Sequence, residues 1–150
     1  HAMTDFGQLH EHLDSNDVKF TLNGKEYMAD PSAQDVLKFH IHLNSSNEKT
    51  VAGQGLATFA RVAHLVGSKF DAETGKVTGG LLGQLIKDGV TFPQLNHIVE
   101  TIHIKYTSGD DLAKAYFETG SVKKALEMLN NDSQENRETG QTSGETSGDD

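Results

Sequence analysis

Eight histidines and twenty-two acidic side chains in 150 residues are the first candidates for chemistry. Imidazoles and carboxylates hold zinc or iron when they converge, and a helix makes them converge when they sit one turn apart, at three or four residues. The pairs here are spaced differently. His10/His12 and His40/His42 are two apart and His97/His103 six apart, all within helical patterns, so none forms a ready chelate and no metal site is expected. Asp110-Asp111 could share a proton in acid–base work, but they open a helical pattern, where the helix dipole already favours carboxylates. The chain has no cysteine, which excludes disulfides, thiolate nucleophiles and zinc-thiolate sites, and it lacks a Gly-x-Ser-x-Gly elbow. Val51-Ala52-Gly53-Gln54-Gly55 and Val77-Thr78-Gly79-Gly80-Leu81 resemble phosphate loops only loosely, since neither ends in Gly-Lys-Ser/Thr. The expectation is a protein that binds without catalysing, with no cofactor.

Charge narrows the partners. The net charge is -9, and residues 131–150 contribute -5 of it, with Arg137 as their one basic residue. Such a chain offers no cationic footprint for phosphate backbones, so nucleic acid is not expected as a partner. No apolar run approaches the ~20 residues of a membrane span, and no membrane partner is expected. His1-Ala2 ahead of Met3 reads as a vector remnant, giving a start at residues 1–3, one domain over 4–130 and a tail over 131–150. That tail contains no aliphatic, aromatic or sulfur-bearing residue, so it has nothing to bury against the entropy of ordering and is expected to be disordered.

The elements that would position any binding surface are mainly helical. Phe6, Leu9 and Leu13 are spaced like one side of a short helix. Val18, Phe20 and Leu22 alternate with polar residues, Asn23-Gly24 is a strong hairpin turn, and Lys25–Met28 returns. Asp30-Pro31 opens a helix running to about Leu43, and Thr50–Gly55 opens another that stops at Gly67. Residues 68–80 read as a loop pinned by Phe70 and Val77. The fold expected is a small helical domain of five to six helices with an N-terminal β-hairpin.

The densest stretch is Leu81–Gly120. Asp88-Gly89 ends a short apolar helix, and Thr91 with Gln94 forms a capping box for the next, with Pro93 in its first turn and Val90 able to clasp Leu95. Leu95, Ile98, Val99, Ile102 and Tyr106 form one stripe. Ser108 to Asp111 then caps a helix whose face is Leu112, Ala113, Tyr116 and Phe117, ended by Gly120. Ser121 caps a last short helix with Val122, Ala125, Leu126 and Leu129 on one side. Leu95, Ile98, Ile102 and Leu126 are expected first in the domain's own core. The aromatics with a polar tip are better suited to a face that stays wet. The candidate partner contacts are Phe92, Ile102, Tyr106, Tyr116 and Phe117.

The same stretch carries a family resemblance. Leu81-Leu82-Gly83, Asp88-Gly89-Val90 with Phe92, and Leu112-Ala113 with Tyr116 and Glu118-Thr119-Gly120 resemble the tail assembly chaperones of siphophages that infect actinobacteria. Lys25-Glu26-Tyr27-Met28-Ala29-Asp30-Pro31 is similar to that family's opening, and the likeness runs from about Phe6 to Leu129. Phe92 and Tyr116 stand where its members often carry tryptophan. The resemblance implies a chaperone that binds the aggregation-prone tape measure protein in the host cytoplasm and is displaced as tail-tube protein polymerises, leaving it absent from the mature virion. It also implies a longer form of the same protein made by frameshifting, and self-association into a homo-oligomer is open to it. The alternative is a structural head-tail connector or tail-completion protein; a small-molecule enzyme is the least favoured class.

Overall fold

Asn23 and Gly24 take φ values of 52° and 80°, the mirror-image turn whose twist matches that of paired strands. Around it, β1 (Val18–Leu22) and β2 (Lys25–Ala29) pair antiparallel, Leu22 opposite Lys25 and Val18 opposite Ala29. The chain belongs to a computed structural model that describes residues 3–9 and 13–142, with side chains to residue 134. Among the described residues six helices follow the hairpin, so the mainly α architecture expected from the patterns is the one observed.

Helix α1 (Ala33–Asn44) starts two residues later than Asp30-Pro31 suggests. Ser32 is its cap: the Ser32 hydroxyl accepts the Asp35 N–H at 3.1 Å and the Asp35 carboxylate accepts the Ser32 N–H at 3.0 Å, a reciprocal pair that Asp30 does not form. Helix α2 (Val51–Leu65) is capped by Thr50 as expected. The segment read as a loop contains a second, minimal hairpin, β3 (Lys69–Phe70) with β4 (Val77–Thr78), and Phe70 meets the Phe59 ring edge-on at 5.0 Å. It leads into α3 (Gly80–Lys87), α4 (Phe92–Ser108), α5 (Asp110–Thr119) and α6 (Val122–Thr142).

The core is built where α2, α3 and α4 meet. Val62, Leu82, Leu85 and Ile102 are its largest fully buried side chains, joined by Phe39 of α1 and Tyr27 of β2. Each such side chain contributes about 1.5–3 kcal/mol relative to exposure. The capping box of Thr91 and Gln94 forms as read, and the stripe Leu95, Ile98, Val99 and Ile102 is buried.

Four expectations are corrected. Residues 3–9 form no helix: Gly7 sits at φ +81°, outside the helical path, and Phe6 and Leu9 face solvent, while residues 10–12 lie outside the described residues. The cap at 108–111 is Gly109, which has no side chain to offer. The first amide of α5, that of Asp110, is instead met by Asp14 Oδ2 at 3.1 Å. Leu126 is exposed, whereas its neighbour Ala125 is fully buried, so the inward side of α6, which packs on α5, is the one that carries Ala125. The last helix also continues past residue 130 to Thr142, each added residue contributing a backbone bond once the helix is nucleated. The end of the expected tail, 143–150, lies outside the described residues.

The hairpin is tied to the helices through Asp88. Its carboxylate accepts from Lys25 Nζ and from the Tyr27 hydroxyl, both at 2.7 Å, and from Gln84 Nε2 at 3.0 Å. Lys25, then Tyr27 and Gln84, hold the Asp88 carboxyl at about 2, below the ordinary 3.8. A depressed carboxyl pKa stabilises the fold fully above about pH 4, and that contribution is lost as pH falls through about 2. Urea unfolding should therefore show Asp88→Asn weaker than the parent at pH 6, with the gap closing between about pH 4 and about pH 2; a gap independent of pH would contradict the assignment. Glycine substitutions should divide similarly. A Cβ on Gly80, at φ +59°, would lie 2.4 Å from the Gly67 carbonyl carbon, whereas one on Gly55 meets nothing within 4 Å. Gly80→Ala should cost at least about 2 kcal/mol, and Gly55→Ala should gain about 0.5–1 kcal/mol, both read from urea midpoints.

Candidate functional site

An apolar groove of about 390 Å³ lies between β1 and the helices α4 and α5. Val18 and Phe20 form one wall, Ile98 and Ile102 the floor, and Ala113 and Phe117 the far wall. The wall residues of β1 are only half-buried because the groove is open above them. Since Val18 and Phe20 point inward and Lys19 outward, a groove that touches all three runs along the edge of the strand.

One end of the groove is closed by the chain that enters β1. Lys105 Nζ donates to the Ser15 carbonyl at 2.8 Å and to Asp110 Oδ1 at 2.6 Å, and the Tyr106 hydroxyl donates to the Asn16 carbonyl. With Asp14 on the Asp110 amide, residues 14–16 are stapled across the α4–α5 corner. Burial pushes the Tyr106 phenol well above its ordinary value, so it remains a donor at any physiological pH. Phe117 is itself held by His97, whose Nε2–H donates to the Phe117 carbonyl at 2.9 Å and whose ring lies 4.9 Å from Tyr116 and 5.5 Å from Phe117. Phe117 in turn reaches Phe20 at 6.2 Å.

The five candidate contacts are therefore distributed unevenly. Ile102, 1% exposed, and Phe117, 38% exposed, share the groove. Tyr116 is half-buried against His97, and Tyr106 holds the incoming chain at the groove's end. Phe92 stands apart in the first turn of α4, 72% exposed. Val18, Phe20, Asp14 and Lys105 were not among the candidates. Alternation signals a strand at 18–22, but no local pattern says which edge of that strand stays unpaired.

The five histidines among the described residues lie beside other rings. His103 meets Phe39 edge-on, His40 also lies against Phe39, and the rings of His42 and His64 are 6.0 Å apart. Burial lowers the pKa of both His103 and Arg61, and His103 Nδ1 and Arg61 Nε are buried without a hydrogen-bond partner. Among the described residues no three His, Asp or Glu side chains are grouped to hold a metal ion, and no helix is long and apolar enough to cross a membrane. The groove can thus offer apolar walls, a strand edge and a few rim charges, a combination suited to holding polypeptide.

No curated protein and no solved structure matches the chain. A family match does extend over residues 7–149, taking in the hairpin, all six helices and the groove between them. On that coverage the chain belongs to the family described as a domain of unknown function, DUF7426.

Proposed function

We propose that this protein is a tail assembly chaperone of a siphophage, a non-enzymatic holder of the tape measure protein. In this reading it keeps that client soluble in the host cytoplasm until tail-tube protein polymerises and displaces it. The observation that carries the reading is Phe92. It occupies the aromatic position of the segment that resembles such chaperones, and it stands 72% exposed in a first helical turn. A phenylalanine left in water there has no role in the domain's own packing and is available to a client. Phe117, Val122 and Leu126 add further exposed apolar surface on the α5–α6 side.

The energetics suit a temporary holder. Burial yields about 25 cal/mol per Å² of apolar area, so a few dispersed side chains give contacts that a polymerising tube can outcompete. A net charge of -9 keeps the holder itself from associating non-specifically.

Co-expression with the tape measure protein of the same genome tests the proposal. The client should move into the soluble fraction and copurify, and Phe92→Asp should cut the copurified amount at least fivefold without changing the far-ultraviolet circular dichroism. No retention and no gain in client solubility would overturn the reading. Stoichiometric recovery of the protein from purified particles by mass spectrometry would point to a connector instead.

A further inference from the structure

We propose that two copies of this chain exchange N-terminal arms, the arm of each lying as an added strand along β1 of the other. Three observations converge on this occupant, and none depends on the client proposed above.

The first is an unpaired strand edge. With a two-residue turn at Asn23-Gly24, the hydrogen-bonded pairs of the hairpin are Leu22 with Lys25, Phe20 with Tyr27 and Val18 with Ala29. The N–H and C=O groups of Lys19 and Thr21 then point away from β2. Among the described residues no backbone or side-chain group meets them. They present two donor–acceptor pairs at strand spacing, those of Lys19 beside the groove. What such an edge takes is extended backbone, with apolar side chains entering alongside.

The second is an apolar segment with nothing to cover it. Residues 3–9 are neither helix nor strand, and Met3, Phe6 and Leu9 are 91%, 96% and 76% exposed. Among the described residues their one side-chain hydrogen bond is internal, from the Gly7 N–H to Asp5 Oδ1. Among the described residues the arm therefore rests on no surface of its own chain. Its bend is at Gly7, and glycine leaves a positive φ for an extended conformation without steric cost.

The third is placement. The arm leaves the body at residues 14–16, which Asp110, Lys105 and Tyr106 hold at the end of the groove. Donor arm and acceptor groove thus sit side by side on one face. A two-fold axis beside that face lets both arms cross at once, closing the assembly at two copies. The groove rim is of mixed charge, Lys19 (paired with Glu26 at 3.4 Å) and Lys114 standing with Asp17 and Glu118, so the arm is selected by the strand edge and the apolar walls.

Sedimentation equilibrium from 1 to 300 µM on the full chain tests the exchange. A monomer–dimer equilibrium is expected. Removing residues 3–9 should weaken it at least tenfold, and so should Phe6→Asp, a change on a side chain too exposed to unfold the body. Lys19→Pro, which removes one outward N–H and leaves the hairpin's own bonds intact, should weaken it to a similar degree. A full chain that stays monomeric to 300 µM overturns the proposal, as does a truncated chain that dimerises as tightly as the parent.

Discussion

The backbone contact between Gly67 and Gly80 is the constraint on which the remaining structure depends. Where the two strands of main chain cross there is no room for a Cβ on Gly80, so the end of α2 and the start of α3 approach to a distance that other residues forbid. That approach solves a problem of α3. Its cap position, Gly79, has no side chain to satisfy the first amides, and the departing end of α2 does so instead. The Val66 carbonyl accepts the Leu81 N–H at 3.3 Å, and Ser68 Oγ accepts the Leu82 N–H at 3.1 Å. Ser68 is the buried polar residue of the core, and its partner accounts for its burial. With α3 fixed in this way, Leu82 and Leu85 fall between α2 and α4, and the centre of the molecule is filled.

From that centre two polar connections reach outward to the hairpin and to the incoming chain. Asp88, just past α3, gathers Lys25, Tyr27 and Gln84 and fixes β2 beside α3. Lys105, Tyr106 and Asp110 gather the carbonyls and carboxylate of residues 14–16. Between these anchors β1 lies along α4 and α5, touching α5 through Phe20 and Phe117, and the groove is the gap left beside that contact. An open strand edge is ordinarily a hazard that proteins blunt with charge. Here Lys19 supplies one charge, but the neighbouring Thr21 does not, and the apolar walls below remain accessible.

Elements with a local cause were legible from the residues alone. The turn at Asn23-Gly24, the box of Thr91 with Gln94, the stop at Gly120 and the stripe from Leu95 to Ile102 each follow from neighbours within a few positions. Misreadings arose where the deciding partner was distant. Phe6, Leu9 and Leu13 have helical spacing but no surface to cover them. Leu126 has the spacing of a core residue, yet it is Ala125 that is buried, and only the packed helices reveal that offset. The groove was half legible: Ile102 and Phe117 were singled out, while the strand that forms its other wall carried no mark of its free edge.

The cap of α5 has a bearing on how the chain is made. Its first amide is met by a carboxylate ninety-six positions earlier in the sequence. During vectorial synthesis that carboxylate has long left the ribosome when α5 emerges, so the helix finds its terminator waiting and need not search for one. The dependence runs one way: a translation start downstream of Asp14 would release a body whose hairpin and central helices could still form, but whose α4–α5 corner would lack the carboxylate that meets the Asp110 amide, while Lys105 would keep its ion pair with Asp110.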